Sequence, residues 1–268
     1  MNEVPRPTPK RVYILPNLLT TGGMFCGFYG IMAALGGHYE NAAQAILAAG
    51  IFDGLDGRVA RATGGSSAFG KEYDSLADFL SFGIAPAVLV HQWALTPFNR
   101  VGWAAAFLFA VCGALRLARF NVQQHYVQDE RISKRYFQGL PIPAAAAILV
   151  ATILFYLDLG LQVALPSQGV ISAWSWLPLG LTFLLAILMV STLRFRSFKD
   201  FSWHRERPFL TLVGVVIFIA VMTIHMATTL FVLGIVYLGS IYWSHREYRR
   251  LLAEGKEIEE DEVQDLSV

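Results

Sequence analysis

The sequence predicts an all-α protein, a polytopic membrane bundle of about eight transmembrane helices, on three observations. The 268-residue chain is 55% hydrophobic and only 15% charged, where a soluble domain carries about 25% charged residues. Apolar stretches close to the roughly 20 residues that cross a bilayer recur along its length. Its basic residues gather in alternate loops, as the positive-inside bias requires.

The first predicted span is 16–35, and the second and third, 41–62 and 73–92, are apolar except for a group of aspartates. Between those two, 63–67 contains Gly64, Gly65, Ser66 and Ser67, a loop signal. Spans four to six are 102–118, 141–160 and 175–192. The last two, 208–223 and 227–243, are divided by a tight turn near His225, or form one re-entrant hairpin. The catalytic domain is thus a transmembrane unit, 16–244, between a cytoplasmic segment, 1–15, and an acidic cytoplasmic tail, 245–268, expected to be disordered. With the N-terminus inside, twenty of the 21 Lys and Arg fall on the cytoplasmic side and only Arg100 outside. Residues 1–10 lack the apolar core of a cleaved signal peptide. Cys26 and Cys112 lie in apolar segments and read as small core residues. The net charge of +1 gives no reason to expect a nucleic-acid partner.

Chemistry concentrates in Asp53, Asp56, Asp74 and Asp78. Within each pair the spacing of three or four residues puts both carboxylates on one helix face. Asp53 and Asp56 lie toward the inner end of the second helix, and Asp74 and Asp78 in the first turns of the third. A short loop between antiparallel neighbours brings the two faces together near the cytoplasmic interface. Crowded carboxylates repel unless a cation lies between them, and hard oxygen ligands suit Mg²⁺ or Mn²⁺. Such ions commonly bridge phosphate oxygens. Gly54, Gly57 and Gly70 let a ligand or another helix approach the backbone, and Arg61 is placed to pair with a phosphate. A solvated helix end or a transporter's proton relay would also use acids. The outer halves of the helices are almost wholly apolar, so no relay path is visible.

These residues resemble a known family. Asp53-Gly-Leu-Asp56-Gly57-Arg-Val-Ala60-Arg61, eight residues, Gly70, three residues, Asp74, three residues, Asp78 matches the CDP-alcohol phosphatidyltransferase signature at each of its eight fixed positions. The resemblance implies a membrane enzyme that moves a phosphatidyl group from a CDP-linked lipid to an alcohol and releases CMP. It implies that Asp53, Asp56 and Asp74 hold metal ions and that Asp78 contacts metal and acts as general base. Gly57, Ala60 and Gly70 would give close approach to the CDP-lipid, with Arg61 near its phosphates. Asn17 would contact the nucleotide, although it could equally cap the first helix after Pro16. The resemblance further implies a homodimer in a bacterial cytoplasmic (inner) membrane, among membrane lipids, and the loop charges turn its active site toward the cytoplasm.

Four more stretches resemble the branch of that family whose acceptor is L-serine: 15–20, 81–87, 116–121 and 139–145. That branch implies CDP-diacylglycerol and serine as substrates and phosphatidylserine as product. Arg116 and Arg119 share a helix face at the depth of the aspartates, where either could bind a serine carboxylate bidentately, and Asn121 could hydrogen-bond the acceptor. An arginine at an inner helix end is also favoured by the helix dipole and by snorkelling. The same arginines would serve glycerol 3-phosphate or an inositol phosphate as acceptor. An intramembrane prenyltransferase would need a second aspartate-rich motif, which the sequence does not show.

Overall fold

The computed structural model describes residues 14–63, 67–126, 136–161, 164–165, 170–171, 173–191, 193–196, 213, 216 and 220–253. Helices dominate: α1 (Ile14–Leu35), α2 (Tyr39–Thr63), α3 (Ala68–Asp78), α4 (Ala85–Val90), α5 (Asn99–Tyr126), α6 (Ile142–Asp158), α7 (Trp176–Val190) and α8 (Met226–Ala253). Two short antiparallel ladders join loops, β1 (Tyr136–Gln138) with β4 (Arg194–Arg196) and β2 (Ala164–Leu165) with β3 (Val170–Ile171). Among the described residues, three helical stretches are long and apolar enough to cross a membrane, Ile14–Leu35, Ala68–Val122 and Ala173–Val190, and Ile142–Asp158 and Met226–Ser240 are shorter apolar helices. The acids of α2 keep it out of that set. Most of the seventh predicted span, the N-terminal segment, parts of the two basic loops and the tail beyond 253 lie outside the described residues. The predicted boundary near His225 coincides with a break in the helix, although His225 N–H donates to Val221 O and its own carbonyl accepts from Thr229 N–H.

α1 and α2 form a close hairpin. Its turn is closed by Gly36 N–H to Met32 O and His38 N–H to Ala33 O, and Gly37 takes a φ of 78°, a left-handed conformation that glycine adopts without steric cost. Small residues meet along the hairpin: Gly23 and Gly30 on α1, and Ala42, Ala43 and Ala49 on α2, are buried. In lipid, where apolar association between helices has little driving force, such small surfaces gain van der Waals contact. Large apolar side chains such as Phe25, Phe28, Ile51, Phe107 and Ile187 face outward, as a lipid-solvated surface permits.

Beyond α3 the helix continues through a π-helical turn, Phe79–Ile84, into α4, and a second π turn, His91–Leu95, ends it. Pro86 supplies the local cause of the first: it has no N–H for the carbonyl of Phe82, and its ring crowds that carbonyl. The chain reverses at Thr96–Phe98 and Asn99 (φ 49°), so that α5 packs back along the same stretch. α6 and α7 pack beside α5, and α8 lies against α6. The start of α6 is pinned through Gly139 (φ 78°), whose N–H donates to Leu193 O, and Leu140, whose N–H donates to Leu188 O.

Candidate metal and nucleotide site

The aspartates converge as the spacing predicts. Asp53 and Asp56 project from the C-terminal half of α2 and Asp74 from α3, and one carboxylate oxygen from each lies within 4.8 Å of the others. Asp56 is only 5% exposed. Its Oδ2 accepts a 2.8 Å hydrogen bond from Thr20 Oγ1 on α1, which orients it toward the other two. Three hard oxygen donors on two helices match the ligand set of a divalent cation. Asp78 is not one of these three but lies next to them. Its carboxyl is within side-chain hydrogen-bonding range of Asp53 and electrostatic reach of Arg116. Asp53, Asp56, Asp74 and Asp78 line one small cavity together with Thr20, Gly23, Ser81 and Phe82.

The third helix begins earlier than expected. Ser67 caps it by accepting from Gly70 N–H at 2.9 Å. Asp74 therefore sits well inside α3 and Asp78 at its last residue, which corrects the expectation that both occupy the first turns. The positive end of the helix dipole acts over about one turn, so it does not reach Asp78. The register is held instead by contacts to neighbours. Ser81 Oγ donates to Gly23 O at 3.2 Å, Tyr73 OH pairs with Thr21 Oγ1 at 2.9 Å, and Asn121 Nδ2 donates to Ser75 Oγ at 3.0 Å.

A wider cavity of about 180 Å³ opens beside the triad. It is lined by Asn17, Gly57, Ala60 and Gly70, and also by Pro16, Thr20, Ser67, Lys71 and the carboxylates of Asp56 and Asp74. A Cβ on Gly57 would meet nothing within 4 Å, so helix packing does not explain that glycine. Gly70 differs, because a Cβ there would stand 3.1 Å from Ser67 Oγ and 3.4 Å from Asn17 Oδ1. Asn17 lies inside α1 and not at its start, which removes the capping alternative. Arg61 is exposed and outside the cavity lining. Lys71 and Thr20 were not singled out from the sequence. Thr20 was legible as the i+3 neighbour of Asn17 on the same helix face, whereas Lys71 falls between fixed positions and carried no signal.

The three acceptor candidates separate. Arg116 is half-buried with its guanidinium carbon 5.8 Å from the Phe120 ring centroid, and its Nε is buried with no hydrogen-bond partner among the described residues. Asn121 is engaged with Ser75 and ties α5 to α3. Arg119 has the same intermediate exposure as Arg116, and among the described residues it shows no such ring contact or buried nitrogen.

A profile of the CDP-alcohol phosphatidyltransferase family matches residues 13–184, and the chain belongs to that family. Within it, the chain is similar to a CDP-diacylglycerol–serine O-phosphatidyltransferase of Helicobacter pylori strain J99, 39% identical over 75% of this chain and 80% of the relative. A Bacillus subtilis protein of the same name is 31% identical over 69% of this chain and 91% of its own. The archaetidylserine synthase of Methanothermobacter thermautotrophicus is 39% identical over 53% and 58%.

Proposed function

We propose that the protein transfers the phosphatidyl group of CDP-diacylglycerol to the hydroxyl of L-serine, giving phosphatidylserine and CMP, at a cytoplasm-facing site in a bacterial inner membrane. The observation that carries the reading is the carboxylate triad opening directly into a cavity that an unpacked glycine, Gly57, leaves clear. Asp53, Asp56 and Asp74 would hold Mg²⁺ or Mn²⁺, which would neutralise the donor's pyrophosphate oxygens and the charge on departing CMP. The α2 backbone at Gly57 and Ala60 receives the nucleotide, Asn17 offers it a polar side chain, and Lys71 offers a cation to its phosphates. The serine Oγ attacks the phosphorus that carries diacylglycerol, the bond from that phosphorus to the CMP oxygen breaks, and Asp78 takes the hydroxyl proton. Arg116, within electrostatic reach of Asp78 and with a buried Nε that has no hydrogen-bond partner among the described residues, receives the serine carboxylate and so turns the hydroxyl toward its base. Arg61 is exposed and lines neither cavity. The same reading includes a fold of about eight spans and a homodimer.

The test is CMP release by the purified protein from CDP-diacylglycerol, with serine, glycerol 3-phosphate, inositol or an inositol phosphate offered singly. Each acceptor is run with Mg²⁺, Mn²⁺ or a chelator. Metal-dependent release with serine alone is expected. Release with another acceptor would replace serine within the same reaction class, and release undiminished by the chelator would remove the metal from the site.

A further inference from the structure

α8 lies beyond the family-matched residues 13–184, yet its packing leads it to the acceptor side of the site. Phe231 stacks on Phe155 of α6 with ring centroids 4.3 Å apart, and a Cβ on Gly234 would stand 3.3 Å from Ile148. The two helices therefore run antiparallel. One turn further on, Tyr237 and Leu238 pack on the core nearer the start of α6. There Ile142 sits between two other elements: its Cδ1 would be 2.6 Å from a Cβ on Gly113 of α5 and 3.6 Å from one on Gly83. Arg116 is one turn past Gly113 on α5, and Asp78 precedes the turn that contains Gly83. This register brings Tyr237 within electrostatic reach of the Arg116 guanidinium.

A buried arginine N–H without a partner is costly, and an anion placed against it offsets that cost. The useful edge of the guanidinium must be held still to receive a carboxylate bidentately. Phe120 supplies an aromatic face 5.8 Å away, which does not fix rotation, whereas a phenolic oxygen accepts from one guanidinium N–H and does. Resting on the reading of Arg116 as the group that receives the acceptor carboxylate, we propose that Tyr237 is a positioning residue for the acceptor. Its hydroxyl orients the Arg116 guanidinium beside Asp78, and α8 thereby sets the affinity for the amino-acid acceptor.

Tyr237→Phe keeps the ring and its packing and removes only the hydroxyl. Initial rates are measured against each substrate in turn for Tyr237→Phe, Arg116→Lys and the double variant. The expected result for Tyr237→Phe is a serine KM raised about tenfold, the value of one charged hydrogen bond, with the CDP-diacylglycerol KM unchanged. The double variant should show no rise beyond that of Arg116→Lys, because tyrosine acts through arginine. An unchanged serine KM in Tyr237→Phe, alongside a raised one in Arg116→Lys, overturns the role of Tyr237 and leaves the proposed function standing. Parallel loss for both substrates with a lowered Tm also overturns it, since α8 then only packs. A serine KM that neither variant moves removes the carboxylate reading itself.

Discussion

Gly54 and Gly57 lie one turn apart on α2, and a Cβ added to either would meet nothing within 4 Å. They differ in one respect: Gly57 lines the cavity beside the triad and Gly54 is exposed and lines neither cavity. Replacing a glycine by alanine inside a helix gains about 1 kcal/mol. In a chain of this size that corresponds to a rise in Tm of roughly 2–4 °C. Both Gly54→Ala and Gly57→Ala should therefore unfold later than the parent in detergent. Only Gly57→Ala places a methyl group where the donor must approach the backbone, and a displacement of the reacting groups by about 1 Å can cost on the order of 100-fold in rate. The expected pattern is higher stability in both variants, with kcat/KM for CDP-diacylglycerol reduced about 10- to 100-fold in Gly57→Ala alone. Thermal unfolding and CMP release over a range of donor concentrations read the two effects separately. Equal donor kinetics in the two variants would refute the assignment of the cavity to the donor. A lower Tm in Gly57→Ala would show that the glycine serves packing after all.

Asp78→Asn keeps the shape of the side chain and removes its ability to take a proton, so turnover should fall by about 10²- to 10⁴-fold with CDP-diacylglycerol binding intact; loss of donor binding instead would make Asp78 chiefly a metal ligand. Thr20→Val removes the 2.8 Å hydrogen bond that orients Asp56, and the Mg²⁺ concentration for half-maximal activity should rise about tenfold; an unchanged metal titration would count against that support. At Gly27 an added Cβ would stand 2.8 Å from the backbone Cα of Ser81, which cannot rotate away, so Gly27→Ala should cost about 1–3 kcal/mol and lower the Tm, the reverse of Gly57→Ala.

The two glycine classes illustrate how far the sequence could be read. Gly54, Gly57 and Gly70 share a plausible double role, close helix packing or close ligand approach, and spacing does not separate the two. The surroundings do: Gly57 faces open space, while Gly70 sits against Ser67 and Asn17. The aspartate faces were legible because helical periodicity alone aligns Asp53 with Asp56 and Asp74 with Asp78. The start of α3 was misplaced because Ser67 sits in a Gly-Gly-Ser-Ser run that reads as loop, and only the hydrogen bond to Gly70 N–H identifies it as the cap. The stretch 139–145 is one of those that resemble the serine branch of the family. In the structure, Gly139 and Leu140 anchor the chain to α7 and to Leu193 just before β4, and Ile142 packs against α5 and the π turn. None of the stretch's residues lines either cavity at the triad.

By itself the sequence determined the membrane class, through its apolar runs and sparse charge, and the carboxylate cluster with its family signature, through residue types at fixed local spacing. Those properties depend on covalent order and helical period, which no tertiary contact alters. The tertiary structure alone decided which side chains from distant parts of the chain share one site. Thr20 meets Asp56 across 36 residues, and Tyr237 of α8 comes within electrostatic reach of Arg116 of α5. Such meetings depend on which helices become neighbours and in what register, and these follow from the shapes of whole helix faces, such as the small-residue seam of α1 and α2 and the Phe231 and Gly234 face of α8.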